Sequence, residues 1–322
     1  MALLEVENLR VELATARGPA AAVRGLDFSL ERGETLGIVG ESGCGKSMTA
    51  LALMGLLPDG AKLSGRIAFQ GRDLVDLPEA ELCKLRGNRI SMIFQEPMTS
   101  LNPLQRIGEQ IAEPLLLHEG LTRAAAQERV LGLLDRVGLP NPRQRIDAYP
   151  HQLSGGQRQR VMIAMALACN PDILVADEPT TALDVTIQGQ ILDLIDELVA
   201  ERGMALILIS HDLGVIAESV RRVLVMYAGI AAEQGPVHEV FAAMAHPYAR
   251  GLFAAMPRLG RGAGLLPTIP GIVPDLHELG AGCPFAPRCA LADQTCRAQM
   301  PPPVPIGPGH VAACWHPGEA AP

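Results

Sequence analysis

The amino-acid sequence predicts an α/β protein with a largely parallel sheet, and three observations support this prediction. First, the apolar strand Thr35–Val39 runs directly into the glycine-rich segment Gly40–Ser47, and a helical pattern follows. Second, another apolar strand, Ile173–Asp177, ends beside a second carboxylate, Glu178. Third, strands and helices alternate in the residues that follow, as they do in βαβ units.

Around this sheet the sequence predicts an antiparallel edge sheet. Apolar and polar residues alternate over Leu9–Leu13 and again over Leu26–Leu30, which is typical of half-buried strands. A helix is predicted over Lys46–Leu57, and Pro58-Asp59-Gly60 ends it. Further strands are predicted at 90–94, 205–210 and 223–227.

A helical insertion is predicted over about residues 105–165. Thr122 is a candidate N-cap, and Val130, Leu133, Leu134 and Val137 recur on one helical face. From about Pro236 onward, proline and glycine become dense and the periodic pattern is lost. We therefore predict two domains: a sheet-based domain over residues 1–235 and a small, loop-rich C-terminal extension over residues 236–322.

Composition restricts the function classes. The net charge of −8, from 27 basic and 35 acidic residues, argues against nucleic acid as a partner. Apolar stretches such as Val161–Cys169 are far shorter than the roughly 20 residues that span a bilayer. The first residues lack a basic segment followed by an apolar one, so we expect no export. A membrane role would therefore act through a partner.

Gly40–Ser47 fits the phosphate-loop pattern G-x-x-x-x-G-K-[ST], in the strand-to-helix context that the pattern requires. Backbone N–H groups would face the phosphates, Lys46 would pair with the β- and γ-phosphates, and the Ser47 hydroxyl would hold Mg²⁺. Cys44 is interpreted as a tolerated small residue, with a lowered thiol pKa beside Lys46 as the alternative. The residues expected to bind ATP in this segment are Gly40, Ser42, Gly43, Cys44, Gly45, Lys46, Ser47 and Met48.

Four polar side chains at strand ends complete the predicted chemistry. Asp177 suits Mg²⁺ through water and also belongs to the ATP-binding set, and Glu178 suits a general base, a role worth roughly 10²–10⁴ in rate. Gln95, which also belongs to the ATP-binding set, would reach Mg²⁺ or the attacking water, and His211 would reach the γ-phosphate. Ligands bind at the carboxyl ends of parallel strands, which is where both residues are predicted. Glu178, His211 and Gln95 are thus the predicted catalytic residues.

The segment Leu153–Gln157, Leu-Ser-Gly-Gly-Gln, precedes a predicted helix over Gln157–Cys169. A helix N-terminus accepts anions, but the phosphate loop already serves the chain's own nucleotide. We therefore predict a head-to-tail dimer in which each chain contacts the ATP of the other. The residues predicted to make this contact are Ser154, Gly155, Gly156, Gln157 and Asp184.

These segments, in this order, resemble the ATP-binding cassette family over about residues 3–235. By this resemblance Gln95 is the Q-loop glutamine, His211 the switch histidine and Ala182-Leu183-Asp184 a loop that crosses the dimer interface. The fold it implies is a P-loop NTPase sheet with an antiparallel edge sheet and a helical insertion. One family feature is missing: the strand that usually carries an adenine-stacking aromatic residue offers Leu13 instead. Stacking contributes roughly 1–3 kcal/mol.

The C-terminal residues resemble the extension on ATPase subunits of dipeptide and oligopeptide importers, of the D type. The matching segments are His246-Pro247-Tyr248, Ile269-Pro270-Gly271, Gly282-Cys283-Pro284-Phe285 and Arg288-Cys289. The resemblance implies a peripheral protein at the cytoplasmic face of the membrane, where Glu96–Pro103 would touch a permease. It also implies two permeases, a second related ATPase and an external solute-binding protein as partners.

Four cysteines fall in the extension, namely Cys283, Cys289, Cys296 and Cys314. Their spacing is a poor match to zinc sites, which prefer close pairs. The resemblance implies a [4Fe–4S] cluster with a structural role, and zinc, free thiols and disulfides remain as alternatives.

Three other functions are alternatives to this one. Some relatives import nickel or other small solutes, so the motifs leave the solute open. Soluble cassette ATPases that act on DNA or ribosomes usually carry long coiled coils or two cassettes, and this chain has neither pattern. A regulatory subunit that barely hydrolyses ATP is disfavoured because Glu178 and His211 are both present.

Overall fold

The computed structural model describes residues 2–96, 100–181, 183–256 and 267–319. The chain divides into two compact units. The first contains residues 1–30, 35–75 and 208–322, and the second contains residues 31–34 and 76–207. Each unit is described by itself below.

The first unit contains an antiparallel four-stranded sheet in the order β2-β1-β4-β5. The predicted alternation is confirmed: Leu9 and Val11 are buried on one strand, and Leu26, Phe28 and Leu30 on its neighbour. Both strands are longer than predicted, because their pairing extends to the tip of the connecting hairpin. The strands are β1 (Leu4–Thr15), β2 (Gly18–Leu30), β4 (Lys62–Phe69) and β5 (Arg72–Asp73).

A second sheet of the first unit runs in the order β11-β12-β10-β9-β3. Its strands are β3 (Thr35–Val39), β9 (Arg222–Tyr227), β10 (Ile230–Pro236), β11 (Pro303–Gly307) and β12 (His310–Ala313). β3 is parallel to β9, whereas β9, β10, β12 and β11 pair antiparallel in succession. Two strands of the C-terminal extension thus continue this sheet, a feature that the sequence did not predict.

The helices of the first unit are short. They are α1 (Lys46–Met54), α8 (Leu213–Ser219), α9 (Val237–Ala243), α10 (Pro247–Ala254) and α11 (Gln294–Ala298), with a 3₁₀ turn at Ala286–Arg288. The predicted end of α1 at Leu57 is wrong, because Gly55 adopts a left-handed conformation and its N–H caps the last turn.

The second unit pairs β6 (Ile90–Ile93) with β7 (Ile173–Asp177) in parallel. β8 (Ala205–Ser210) is the other neighbour of β7; it begins in this unit and ends in the first. The helices are α2 (Glu79–Leu85), α3 (Ile107–His118), α4 (Arg123–Arg136), α5 (Pro142–Arg145), α6 (Gly155–Ala166) and α7 (Val185–Arg202), with a 3₁₀ turn at Pro150–Gln152.

The helical character predicted between residues 105 and 165 is confirmed by α3 to α6. Thr122 is the N-cap of α4, and its hydroxyl accepts a hydrogen bond from the N–H of Ala125 at 3.3 Å. Val130, Leu133, Leu134 and Val137 are buried, as their spacing predicted. Within the described ranges, no helix is long and apolar enough to cross a membrane.

Candidate functional site

The loop Gly40–Ser47 connects β3 to α1 in the first unit, and two of its glycines are required by close backbone contacts. A Cβ atom on Gly40 would lie 2.2 Å from the carbonyl oxygen of Met226, and one on Gly45 would lie 2.6 Å from that of Ala22. Both residues also have positive φ, at 155° and 103°. Only glycine satisfies both demands, so the loop can lie close against the backbone at Ala22 and Met226.

Lys46 begins α1 and is almost fully buried, with 6% of its surface exposed. Its Nζ donates to the carbonyl oxygens of Gly40 at 2.8 Å and Glu41 at 3.2 Å. The ammonium group is therefore held over the loop, where a phosphate would replace the carbonyls as its partner.

The other predicted loop residues differ in exposure. Ser42 and Gly43 are exposed, while Ser47 and Met48 are half-buried on the first turn of α1. Cys44 is fully buried, and this burial raises the pKa of its thiol, outweighing the opposite effect of Lys46. The alternative of a lowered Cys44 pKa is therefore wrong, and the residue is a small apolar part of the loop.

His211 is exposed and follows β8 directly, as predicted. Asp212, its neighbour, caps α8 by accepting hydrogen bonds from the N–H groups of Gly214 and Val215 at 2.7 and 3.4 Å. The cap fixes the backbone on one side of His211, and β8 fixes it on the other.

In the second unit the ends of β6 and β7 bring together two predicted catalytic residues. The amide of Gln95 donates a hydrogen bond to the Glu178 carboxyl group at 3.0 Å. Asp177 is the last residue of β7 and is buried, with 4% of its surface exposed. The prediction that β6 reaches Phe94 is wrong by one residue, so Gln95 lies two residues beyond its end.

Glu178 has an unusual backbone, with a φ of 46° that non-glycine residues rarely adopt. The hydroxyl of Thr181 donates to its carboxyl group at 3.0 Å, and the N–H of Thr181 donates to its backbone carbonyl at 3.1 Å. Backbone strain of this kind costs about 1–3 kcal/mol and is concentrated at functional sites. The turn therefore fixes the position of the Glu178 carboxyl group. Thr181 contributes to this position, a role that the sequence did not predict.

The Leu153–Gln157 segment forms the N-terminus of α6. Ser154 is the N-cap: its Oγ accepts from the N–H of Gln157 at 3.4 Å, and the Gln157 side chain accepts from the N–H of Ser154 at 3.1 Å. The predicted helix Gln157–Cys169 is wrong at both ends, because Gly155 and Gly156 form its first turn and it stops at Ala166. Ser154 and Gly155 are exposed, and a helix N-terminus of this kind accepts anions.

Asp184, the remaining residue of the predicted partner contact, is exposed and is the N-cap residue of α7. Gly156 of the same unit approaches this helix closely, since a Cβ atom there would lie 3.1 Å from Ile187. Ala182 of the predicted interface loop lies outside the described residues, as do residues 97–99 of the predicted permease contact.

The four cysteines of the extension line one pocket in the first unit. Burial raises the pKa of Cys283, and it raises the pKa of Cys314 to about 11, with the other three cysteines adding to the effect at Cys314. The N–H of Cys283 donates to the carbonyl of Cys296 at 2.8 Å, which ties two of the cysteine segments together. None of the seven cysteines, each in the described part of the chain, forms a disulfide.

The cysteine pocket has the donors of a metal centre. Asp293, Cys296 and His316 place one ligand atom each within 4.8 Å of one another, the only such trio among the described residues. The four thiols do not converge to that spacing, which a single zinc ion would require. A four-iron cluster would need a wider arrangement of four cysteines, because each thiolate binds a different iron.

Known protein families match two parts of the chain. The family described as "ABC transporter" matches residues 23–181, and "Oligopeptide/dipeptide transporter, C-terminal region" matches residues 232–296. The chain is 53% identical to the oligopeptide transport ATP-binding protein OppD of Salmonella typhimurium, over 98% of this chain and 94% of that protein. It is 50% identical to the probable peptide ABC transporter ATP-binding protein y4tR of Sinorhizobium fredii, over 98% and 96% of the two chains.

Among solved structures, the chain is similar to the ATP-binding cassette MJ0796 in its dimeric, post-hydrolysis state bound to ADP and Pi. The TM-score is 0.66 at 29% identity, and the match covers 73% of this chain and 98% of that one. The identities and their near-complete coverage show that the chain belongs to the ABC transporter family and carries both the family's ATPase region and its oligopeptide/dipeptide C-terminal region.

Proposed function

We propose that the chain hydrolyses ATP to power uptake of di- and oligopeptides through separate permease subunits. The observation that supports this most strongly is the combination, in one chain, of a phosphate loop, the Gln95–Glu178 pair and the C-terminal region of peptide transporters. An importer of nickel or another small solute is the alternative within the same family.

The proposed chemistry assigns a role to each residue. The loop residues 40–48 bind the phosphates of ATP, with Lys46 as the cation, and Ser47, Gln95 and Asp177 serve Mg²⁺. Glu178 acts as general base toward the attacking water, and Gln95 and Thr181 orient its carboxyl group by the hydrogen bonds described above. His211 contacts the γ-phosphate.

A second ATPase subunit completes the proposed assembly. Ser154, Gly155, Gly156, Gln157 and Asp184 would contact the nucleotide of that subunit. The N-terminus of α6 supports this role because its serine and first glycine are exposed. The dimeric structure of the similar cassette MJ0796, bound to ADP and Pi, supports the pairing of two ATPase chains. Two permeases and an external solute-binding protein are the other proposed partners, which places the chain peripherally at the cytoplasmic face of the membrane.

We divide the chain for this function into a cassette over residues 1–235, with a helical part at about 105–165, and an extension over residues 236–322. In the extension, Cys283, Cys289, Cys296 and Cys314 would hold a [4Fe–4S] cluster with a structural role. The shared pocket of the four thiols supports this set of ligands.

Membrane co-purification tests the transport function. A tagged Glu178→Gln chain would be trapped with ATP in mild detergent, and Lys46→Ala would serve as the control that cannot hold ATP. Recovery of two multi-helix permeases and a second cassette ATPase is the expected result. A chain that comes out alone, or with ribosomes or DNA, would contradict the transport function and leave only the ATPase chemistry.

Anaerobic purification tests the cluster. We expect a brown protein with about four irons and four acid-labile sulfides per chain. Cys289→Ser should lose this iron, whereas Cys83→Ser, which changes an exposed cysteine of the second unit, should keep it. A colourless, iron-free wild-type protein would refute the proposal, and bound zinc would favour the alternative metal.

A further inference from the structure

The second residue of the phosphate loop is held from the C-terminal extension, residues 236–322. Arg288 donates two parallel hydrogen bonds to the Glu41 carboxylate, Nη1 to Oε2 at 2.7 Å and Nη2 to Oε1 at 3.0 Å. The hydroxyl of Tyr248, also in the extension, accepts a hydrogen bond from the N–H of Glu41 at 2.8 Å. Both the side chain and the backbone of this loop residue therefore depend on the extension.

Arg288 is itself fixed. Its side chain is only 4% exposed, and the ring centroids of Tyr227 and Phe285 lie 5.8 and 5.9 Å from its guanidinium carbon. Besides Glu41, it donates to the carbonyl of Pro270 at 2.8 Å, to the hydroxyl of Tyr227 at 3.3 Å and to the carbonyl of Ile269 at 3.5 Å. Five contacts for five guanidinium N–H groups leave Arg288 no freedom to swing away.

Glu41 links Arg288 to Lys46, the cation of the loop. The carbonyl oxygen of Glu41 accepts a hydrogen bond from Lys46 Nζ at 3.2 Å, next to the carbonyl of Gly40 at 2.8 Å. Arg288 thus holds one end of Glu41 while Lys46 contacts the other. A shift of the Glu41 backbone would move a carbonyl that positions the Lys46 ammonium group.

We propose that Arg288 is a positioning residue for ATP binding: its bidentate grip on Glu41 holds the phosphate loop in the conformation that receives phosphate. The inference rests on the proposed ATP site at Gly40–Ser47. A loop that is already ordered loses less conformational freedom when ATP binds, so the Arg288–Glu41 hydrogen bonds are expected to raise the affinity for ATP. ATP affinity then depends on a folded extension, although Arg288 lies far from the loop in sequence.

Arg288→Gln in the full chain tests the proposal. We expect the Kd and KM for ATP to rise about tenfold, while kcat changes less than about threefold. A less ordered loop weakens binding of the ground state and the transition state alike, and such a loss affects KM alone. Arg288→Lys should restore little of the affinity, since an ammonium group cannot form the bidentate fork. Arg297→Gln removes the same charge from an exposed position of the extension and should bind ATP like the wild type.

A double-mutant cycle separates this role from damage to the extension. Glu41→Gln changes the loop end of the pair and leaves the extension intact, and it should weaken ATP binding as Arg288→Gln does. If Arg288 acts through Glu41, the double variant should bind no more weakly than the worse single variant. Unchanged ATP affinity in either single variant, or full additivity in the double one, would overturn the proposal.

A separate result would refute the proposed ATP site and not the positioning role of Arg288. If the wild-type chain does not bind ATP, or if Lys46→Ala binds it equally well, the ATP site itself is wrong. If the wild type binds ATP and Lys46→Ala does not, the comparison with Arg288→Gln tests the positioning role alone.

Discussion

Removing the carboxyl group of Glu233 should detach the extension from its sheet. Glu233 lies on β10 with 1% of its surface exposed, and its carboxyl oxygens accept hydrogen bonds from the N–H groups of Ala245 and His246, both at 2.8 Å. His310 of β12 contacts the same carboxyl group at 2.7 Å and is equally buried. Three segments therefore meet at one side chain.

In Glu233→Ala, two buried amides and one imidazole nitrogen lose their partner. Each buried polar group left without a hydrogen bond costs about 1–3 kcal/mol. Because the three losses share one site and the structure can relax, we expect a total of about 4 kcal/mol. Glu233→Gln keeps the shape and one acceptor oxygen, so it should cost about half as much.

The protein carries its own probe for this experiment. Trp315 is the single tryptophan and lies just after β12, where its indole donates to the carbonyl of Gln299 at 3.1 Å. Urea unfolding followed by tryptophan fluorescence therefore reports on the extension. Glu218→Ala, an exposed change in the same unit, should stay within about 0.5 kcal/mol of the wild type. A Glu233→Ala transition within about 1 kcal/mol of the wild type would refute the reasoning.

Three further changes have definite expected outcomes. Thr181→Ala removes a hydrogen bond to Glu178 worth about 1 kcal/mol, so steady-state ATPase assays should show kcat lowered about fivefold. Thr181→Ser keeps the hydroxyl group and should restore kcat, and equal rates in all three chains would contradict this prediction. Gly282→Ala would place a Cβ atom 2.3 Å from the carbonyl of Arg297 and displace Cys283, so iron bound per chain should fall, and an unchanged iron content would contradict it. Burial lowers the pKa of His246 to about 4, so the folded protein binds fewer protons than the unfolded chain and loses stability as pH falls below about 6.5. Between pH 7 and pH 5 the loss of unfolding free energy should be about 2 kcal/mol larger than in His246→Asn, a variant that keeps the N-cap of α10. Equal losses in the two proteins would show that His246 does not titrate this way.

Features dictated by neighbouring residues could be predicted from the sequence. The loop Gly40–Ser47 is one, because the positive φ of Gly40, Gly43 and Gly45 favours glycine at these positions and leaves a fixed spacing in the sequence. Strand ends carrying Asp177, Glu178 and His211 were found because apolar runs give way abruptly to polar residues. The start of α6 was misplaced for the opposite reason: glycines disfavour a helix interior but are tolerated in its first turn.

Pairings between distant segments could not be predicted. Arg288 and Glu41 are 247 positions apart, and neither residue type signals the other. A threonine after a turn is common and signals no role, so only the three-dimensional turn at Glu178 shows the contact of Thr181. The role of Glu233 was hidden similarly, since its strand carries no regular alternation around it.

The extension shows why a proline-rich sequence can still belong to a sheet. Pro303 and Pro305 argue against a central strand, because each lacks the N–H that a ladder requires. β11 is nevertheless a strand, and it lies at the edge of the sheet, where one side of the backbone needs no partner strand. Its inner neighbour β12 brings His310 to Glu233, and the turn Ala286–Arg288 brings Arg288 to Glu41. Two buried hydrogen-bonded contacts thus hold the extension to the sheet and to the phosphate loop, so cutting the chain after Pro236 should destabilise the loop rather than release an independent cassette.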